Sequence, residues 1–237
     1  MEWTDEAIVI GSRRHGESSS VVTALTREHG RHAGLVRGGS GSRARGAIQA
    51  GNRLQVSWKA RLAEQLGNFT WELQSPDGTR WLSDQRRLAA VVSACALIEA
   101  ALPERESHPA AFQALADLLT ALASEDWASR YVRWELDLLA ELGYGLDLSS
   151  CAATGSNDDL AFVSPRSGRA VSLSAGEPYR DRLLILPRFL SFDQPADAAE
   201  LRTGLALTGH FLERWVFATL GKGVPPARAR LVAVIQA

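Results

Sequence analysis

Over the first 80 or so positions, apolar and polar residues alternate in short runs divided by glycine-rich turns. Glu6-Ala-Ile-Val-Ile-Gly11 is a brief apolar stretch. Ser19 to Thr26 and Arg31 to Val36 flank the turn Arg27-Glu-His-Gly30. Leu54-Gln-Val-Ser-Trp-Lys59 and Phe69-Thr-Trp-Glu-Leu73 alternate strictly, as strands do when one face lies on a core. Five short strands in about 75 residues predict a small closed barrel, because closure removes unpaired edges. Ser75-Pro-Asp-Gly78 supplies the turn that ends it.

From about residue 84 the period becomes helical. Leu88 to Leu102 is Ala-rich and apolar almost all round, as a buried helix would be. His108-Pro109 opens a second helix, striped by Phe112, Leu115, Leu118, Leu119 and Leu122. Ser124 is expected to cap a third, with Glu125 and Asp126 at its positive end and Gly143 past its last turn. Its apolar face is Trp127, Tyr131, Trp134, Leu138 and Leu142. Residues 149–180 read as an irregular insert, in which Leu160 to Val163 and Ala170 to Leu173 flank the hairpin signal Ser164-Pro-Arg-Ser-Gly168. Asp193-Gln-Pro195 then starts a long helix through Leu201, Leu205, Phe211, Leu212, Trp215 and Leu220. The expected class is α+β in two domains, a five-stranded barrel over 1–80 and an α-helical domain over 81–237.

Composition agrees with a folded chain. Of the 237 residues, 46% are hydrophobic and 22% charged, enough apolar material for two cores and too little charge for global disorder. No apolar run approaches the roughly 20 residues that cross a bilayer. The opening Met1-Glu-Trp-Thr-Asp-Glu6 is acidic where a signal peptide is basic, and Cys95 and Cys151 are too few for a disulfide framework. A cytoplasmic, nucleoid-associated protein without a membrane partner is the expectation. Net charge is −1, yet Val9 to Arg61 holds ten Arg and Lys against Glu17 and Glu28, or +8. That local basic field suits a polyanion. It does not by itself separate DNA from RNA or from an acidic protein.

Catalytic motifs are missing. Lys222 follows a glycine but lacks the upstream Gly and the Ser/Thr of a phosphate-binding loop. His15-Arg-Glu17 has the His-x-Glu of zinc deaminases without the Pro-Cys-x-x-Cys half. His29, His32, His108 and His210 have no metal-ligand spacing, and Cys95 sits inside an apolar helix. No enzyme activity, cofactor, metal or small-molecule substrate is expected. Period two groups Trp58 with Leu54 and Val56, and Trp71 with Phe69 and Leu73. It favours barrel core over a base-stacking platform for both.

Several short motifs, in order, resemble the RecO family of DNA-repair proteins. They are the N-terminal Glu-Ala-Ile-Val-Ile, then Gly16-Glu-Ser-Ser-Ser-Val-Val-Thr23, and then Leu25-Thr-Arg-Glu-His-Gly-Arg31. Leu35-Val-Arg-Gly-Gly39 follows with a basic Gly/Ser stretch, and Gln49-Ala-Gly51 stands where the family has Gln-Pro-Gly. Leu66-Gly-Asn-Phe-Thr-Trp-Glu72 closes the barrel, and Trp134-Glu-Leu-Asp-Leu-Leu-Ala-Glu-Leu-Gly-Tyr144 leads to Cys151. The resemblance spans nearly the whole chain. It implies that the barrel is an OB-fold binding single- and double-stranded DNA. It also implies annealing of complementary strands, work with RecR in loading RecA onto DNA coated by single-strand-binding protein, and contact with that protein's acidic, Phe-ended tail. No nucleotide is consumed by such a protein.

Some family members carry a four-cysteine zinc site in the insert. Here Cys151-Ala-Ala-Thr154 keeps one cysteine, so a metal-free, zinc-ribbon-like hairpin is expected, held by Leu160, Phe162, Val171 and Leu173. The DNA-binding set expected from charge is Arg13, Arg14, Arg31, Arg37, Arg43, Arg45, Arg53 and Lys59. Arg37 to Gly46 should be a mobile loop, having no large apolar anchor. Arg130 and Arg133, beside Tyr131, are candidates for the tail-binding groove, with a structural role the alternative.

Overall fold

The computed structural model describes residues 1–62, 64–192 and 195–236, in two compact units. The first is Met1–Thr120 with Pro225–Val234, and the second is Ala121–Val224 with the end of the chain. The change of period near residue 84 is present, but the helices that follow it join the barrel's own unit.

In the first unit, β1 (Glu2–His15), β2 (Ser19–Thr26), β3 (Gly30–Val36), β4 (Arg53–Lys59) and β5 (Asn68–Ser75) close in the order β1-β2-β3-β5-β4. The first strand is longer than its apolar run. Glu2 to Ile8 pairs with β4, while Ala7 to His15 pairs with β2, so one strand serves two neighbours. The barrel interior is filled by Val9, Val22, Val36, Leu54, Val56, Trp58 and Phe69. Burying each such side chain contributes about 1.5–3 kcal/mol. Ile8 and Ile10, pointing the other way on β1, are also buried, and α2 (Gln85–Ala101) packs on that strand. Asp84 caps α2 by accepting from Arg86 and Arg87 N–H. Next come α3 (Pro109–Ala121), with the expected apolar stripe buried, and α8 (Pro226–Gln236), a helix the apolar pattern did not single out.

The segment expected to be a mobile loop is a turn followed by a short helix, α1 (Ser42–Ala47). Its anchors are small. Ala44 and Ala47, three apart and so on one helix face, are buried, and Ile48 follows at 2% exposure. The helix therefore plugs the barrel with methyl groups rather than large side chains.

In the second unit, α4 (Trp127–Glu141) buries Trp127, Tyr131, Trp134 and Leu138 as its stripe requires, and packs against α7 (Ala198–Phe211). Ser124 is not its cap. The Ser124 hydroxyl donates to the Ala121 carbonyl, and the helix begins after Asp126. Gly143, at φ +83°, ends it as expected. The start expected for the long helix, Asp193 and Gln194, lies outside the described residues. Asp197 caps α7 by accepting from Glu200 N–H at 2.8 Å, and a π-helical turn, Leu212–Phe217, extends it.

The insert holds the hairpin of β6 (Leu160–Val163) and β7 (Ala170–Ser172), with β8 (Leu184–Ile185) on the far side of β6. Two short helices, α5 (Leu173–Gly176) and α6 (Arg188–Ser191), flank β8. Leu160 and Phe162 are buried and Val171 half-buried, but Leu173 is 44% exposed. The strand stops at Ser172, so alternation no longer governs the next residue. Buried Cys151 takes that place, accepting from the Ser172 N–H at 3.2 Å.

Candidate nucleic-acid interface

The barrel closes through one parallel register pair, Leu35 with Asn68, supported by Leu35 N–H donating to Gly67 O at 3.0 Å. Beyond that pair β3 and β5 diverge. The gap holds α1 and an open cleft of about 1160 Å³. One wall is Arg37, Gly38 and the Gly41–Ala47 segment, including Arg43. The other is Trp71, Glu72 and Leu73 of β5, with Pro76, Thr79 and Leu82 at the rim. Trp71 is half-buried. It packs against the barrel core and also lines the cleft, so strand alternation placed only part of it.

Asn52 fixes this geometry and carries no signal in the sequence. Wholly buried, it donates through Nδ2 to the carbonyls of Gly46 and Ala47 at 2.9 and 3.1 Å. Its Oδ1 accepts from the N–H groups of Gly78 and Thr79 at 3.1 and 3.2 Å. One amide thus ties the end of α1 to the turn after β5 and sets the spacing of the cleft walls. Gly51, at φ +86°, admits this turn; a Cβ there would lie 2.5 Å from Val91 Cγ1.

The eight basic residues expected at a DNA site separate into two sets. Arg37, Arg43 and Arg45 are exposed, and their guanidinium groups have no ion pair or hydrogen bond among the described residues. Arg37 and Arg43 line the cleft; Arg45 lies on the same helix outside it. Arg13 and Arg14 stand on the β1–β2 arm, where Ser12 to Ser18 is exposed throughout. Arg13 has no ion pair or hydrogen bond among the described residues, and Arg14 reaches the Glu17 carbonyl at 3.4 Å. The arm meets the turn before α1 through Ser40 N–H to Ser18 O at 3.1 Å, which brings the two arginine groups to one end of the barrel.

The other three have partners within the protein, Arg31 and Arg53 partly buried and Lys59 in an exposed pair. Arg53 Nε lies 2.6 Å from Asp77 Oδ2, a close charge contact without hydrogen-bond angles, and its Nη2 donates to Thr120 Oγ1 at 2.8 Å. Arg31 donates to the Leu102 carbonyl at 2.9 Å and pairs with Glu104 at 3.2 Å. Lys59 sits 2.9 Å from Glu2.

Rings gather at the opposite end. Trp3 stacks on His29 with centroids 4.1 Å apart and on Trp58 at 5.6 Å, while His32 meets both tryptophans edge-on. Trp58 is 2% exposed and donates through Nε1 to Leu66 O, so it is core as its alternation implied. Burial, with the Arg105 charge second, lowers the pKa of His32. Burial likewise pushes the Cys95 thiol up to about 12, leaving it unreactive.

In the second unit, Arg130 and Arg133 share a groove of about 660 Å³ with Asp126, Ser129, Leu190, Phe192 and Pro195. Arg133 donates to the Phe189 carbonyl, and Arg130 Nε to Asp126 Oδ2 at 2.8 Å. Phe192 is 43% exposed beside them.

Comparison with known proteins then decides the family. Residues 1–75 match the family model described as Recombination protein O N terminal, and residues 82–222 match Recombination protein O C terminal. The chain belongs to the RecO family. It is 58% identical to DNA repair protein RecO of Rhodospirillum centenum over 98% of this chain and 94% of that one. The RecO proteins of Rhodospirillum rubrum and Caulobacter vibrioides are 48% and 47% identical, each over 98% of this chain and at least 95% of theirs. The barrel followed by helices is the N-terminal OB-fold and helical C-terminal arrangement of RecO, and the role lies in DNA repair and recombination. Among the described residues of this RecO-family chain, no helix is long and apolar enough to cross a membrane. Nor do three His, Cys, Asp or Glu side chains converge as a metal site among them.

Proposed function

We propose that this chain acts at the nucleoid as an ATP-independent mediator that binds single- and double-stranded DNA and anneals complementary strands. With RecR, it would help load RecA onto DNA coated by single-strand-binding protein. One observation carries the reading: Arg37 and Arg43 in the cleft and Arg45 on the same helix are exposed, without an ion pair or hydrogen bond among the described residues, and the β1–β2 arm with its arginines reaches the turn before α1. Cations spent on carboxylates gain little from phosphate, whereas free ones release counterions from it. Neutralising two strands at one surface lowers the repulsion that slows their pairing. Arginine suits this task because its planar fork pairs with phosphate and also stacks on bases.

The acidic, Phe-ended tail of single-strand-binding protein is assigned to the groove of Arg130 and Arg133. Phe192 and Leu190 offer an apolar seat for the ring, and the guanidinium groups face a carboxylate. Asp126 is the internal competitor that such a tail would displace from Arg130. The test is annealing of complementary oligonucleotides, bare and coated, with and without ATP. Equal rates in both conditions, with loss of the coated reaction alone on Arg130→Ala/Arg133→Ala, are expected. An ATP requirement, or failure to anneal bare strands, would overturn the proposal.

A further inference from the structure

The cleft contains more than phosphate contacts need. Its cationic wall, Arg37 and Arg43, faces a wall built from Trp71 and Leu73, and Leu73 is 41% exposed although it lies on the inward-facing register of β5. Exposed Leu73 and half-buried Trp71 together form an apolar face at the barrel seam, of the kind that marks a ligand-binding groove. Glu72, on the same wall, repels phosphate, so the anionic part of any ligand is directed to Arg37 and Arg43.

We infer that the cleft binds an unpaired nucleobase on Trp71, with the adjoining phosphate held by Arg37 and Arg43, so that a single strand gains a contact at Trp71 beyond the phosphate contacts that a duplex also makes. The inference rests on the DNA-binding reading above and adds to it which part of the strand enters. A base in a duplex has both faces stacked and cannot offer one to an indole, whereas every unpaired base can. The charge arrangement orients the ligand: anionic backbone to the arginine wall, flat apolar ring to the tryptophan wall. Trp3 is the contrasting case, already stacked on His29 and on Trp58.

The experiment compares full-length protein binding to a labelled oligothymidylate and to an abasic strand of equal length and charge. One stacked base is worth roughly fivefold or more in affinity. The wild type should bind the oligothymidylate tighter by at least that factor. Trp71→Ala should bring its affinity down to the abasic value while leaving abasic binding unchanged, and Trp71→Phe should retain most of the difference. The wild-type comparison needs no variant, so it stands even if Trp71→Ala fails to fold. Equal wild-type affinity for both strands would overturn the base-stacking inference and leave the phosphate-based function intact. A folded Trp71→Ala protein that still prefers the oligothymidylate would put the base elsewhere. Binding to neither strand at low salt would remove the DNA-binding reading itself.

Discussion

Where β1 begins and β4 finishes, Lys59 lies 2.9 Å from Glu2, Arg31 is held by Glu104 and the Leu102 carbonyl, and Arg27 sits 2.6 Å from Glu6. Trp3 there is stacked on His29 and on Trp58. Around α1, at the other end, Arg37, Arg43 and Arg45 have no such partners among the described residues, and Trp71 lines an open cleft. The same residue types are satisfied internally at one end and left available at the other. What distinguishes them is the supply of carboxylates and carbonyls nearby, and most of those come from distant sequence. Arg53 belongs with the satisfied group, because Asp77 and Thr120 hold it.

The largest effect expected from this contrast is on stability at the closed end. Trp58→Ala removes a fully buried indole and its hydrogen bond, and should cost about 3–5 kcal/mol in urea denaturation. A loss below about 1 kcal/mol would mean that the ring cluster is not the barrel's core. Next is Arg53→Ala. It strands Asp77, which is nearly buried, and should cost about 2 kcal/mol while leaving the salt dependence of DNA binding unchanged. A flatter salt dependence would move Arg53 into the DNA-contacting set.

The smallest effect concerns pH. His32 has its folded pKa lowered by burial, so below about 6.5 the unfolded chain takes up a proton that the folded chain refuses. Stability should be full above pH 6.5 and fall on acidification toward pH 5. His210, also lowered by burial, contributes in the same direction. His32→Phe keeps a ring against Trp3 and Trp58 and should lessen the fall by a few tenths to about 1 kcal/mol. An unchanged slope would show that folding does not lower the pKa of His32.

The barrel strands were legible because period two is strong wherever one face meets a core, as in Leu54 to Lys59. The helical stripes of α3 and α4 were legible for the same reason. Alternation did not reach α1, because its anchors Ala44 and Ala47 are ordinary among Arg, Gly and Ser. Trp71 was read as core because alternation gives the face of a strand and not whether the barrel is closed over it. That depends on how far β3 and β5 stay paired. Charge placement located a basic segment but could not sort its members. Arg31 meets Glu104 and Arg53 meets Asp77 only after folding, and Asn52 gives no hint of its four backbone partners.

The central claim is that the unpartnered arginines at the α1 end neutralise DNA phosphates. Its most direct test is affinity for single-stranded DNA at four salt concentrations, for the wild type and for Arg37→Ala/Arg43→Ala/Arg45→Ala. Each phosphate neutralised contributes about −0.7 to the slope of log K against log salt, so three lost contacts should flatten it by roughly 2 units. Binding should weaken about equally for every sequence, because phosphate contacts carry no sequence information. The fold should be unaffected, since each exposed change typically shifts stability by no more than about 0.5 kcal/mol. An unchanged slope in a folded triple variant would contradict the account.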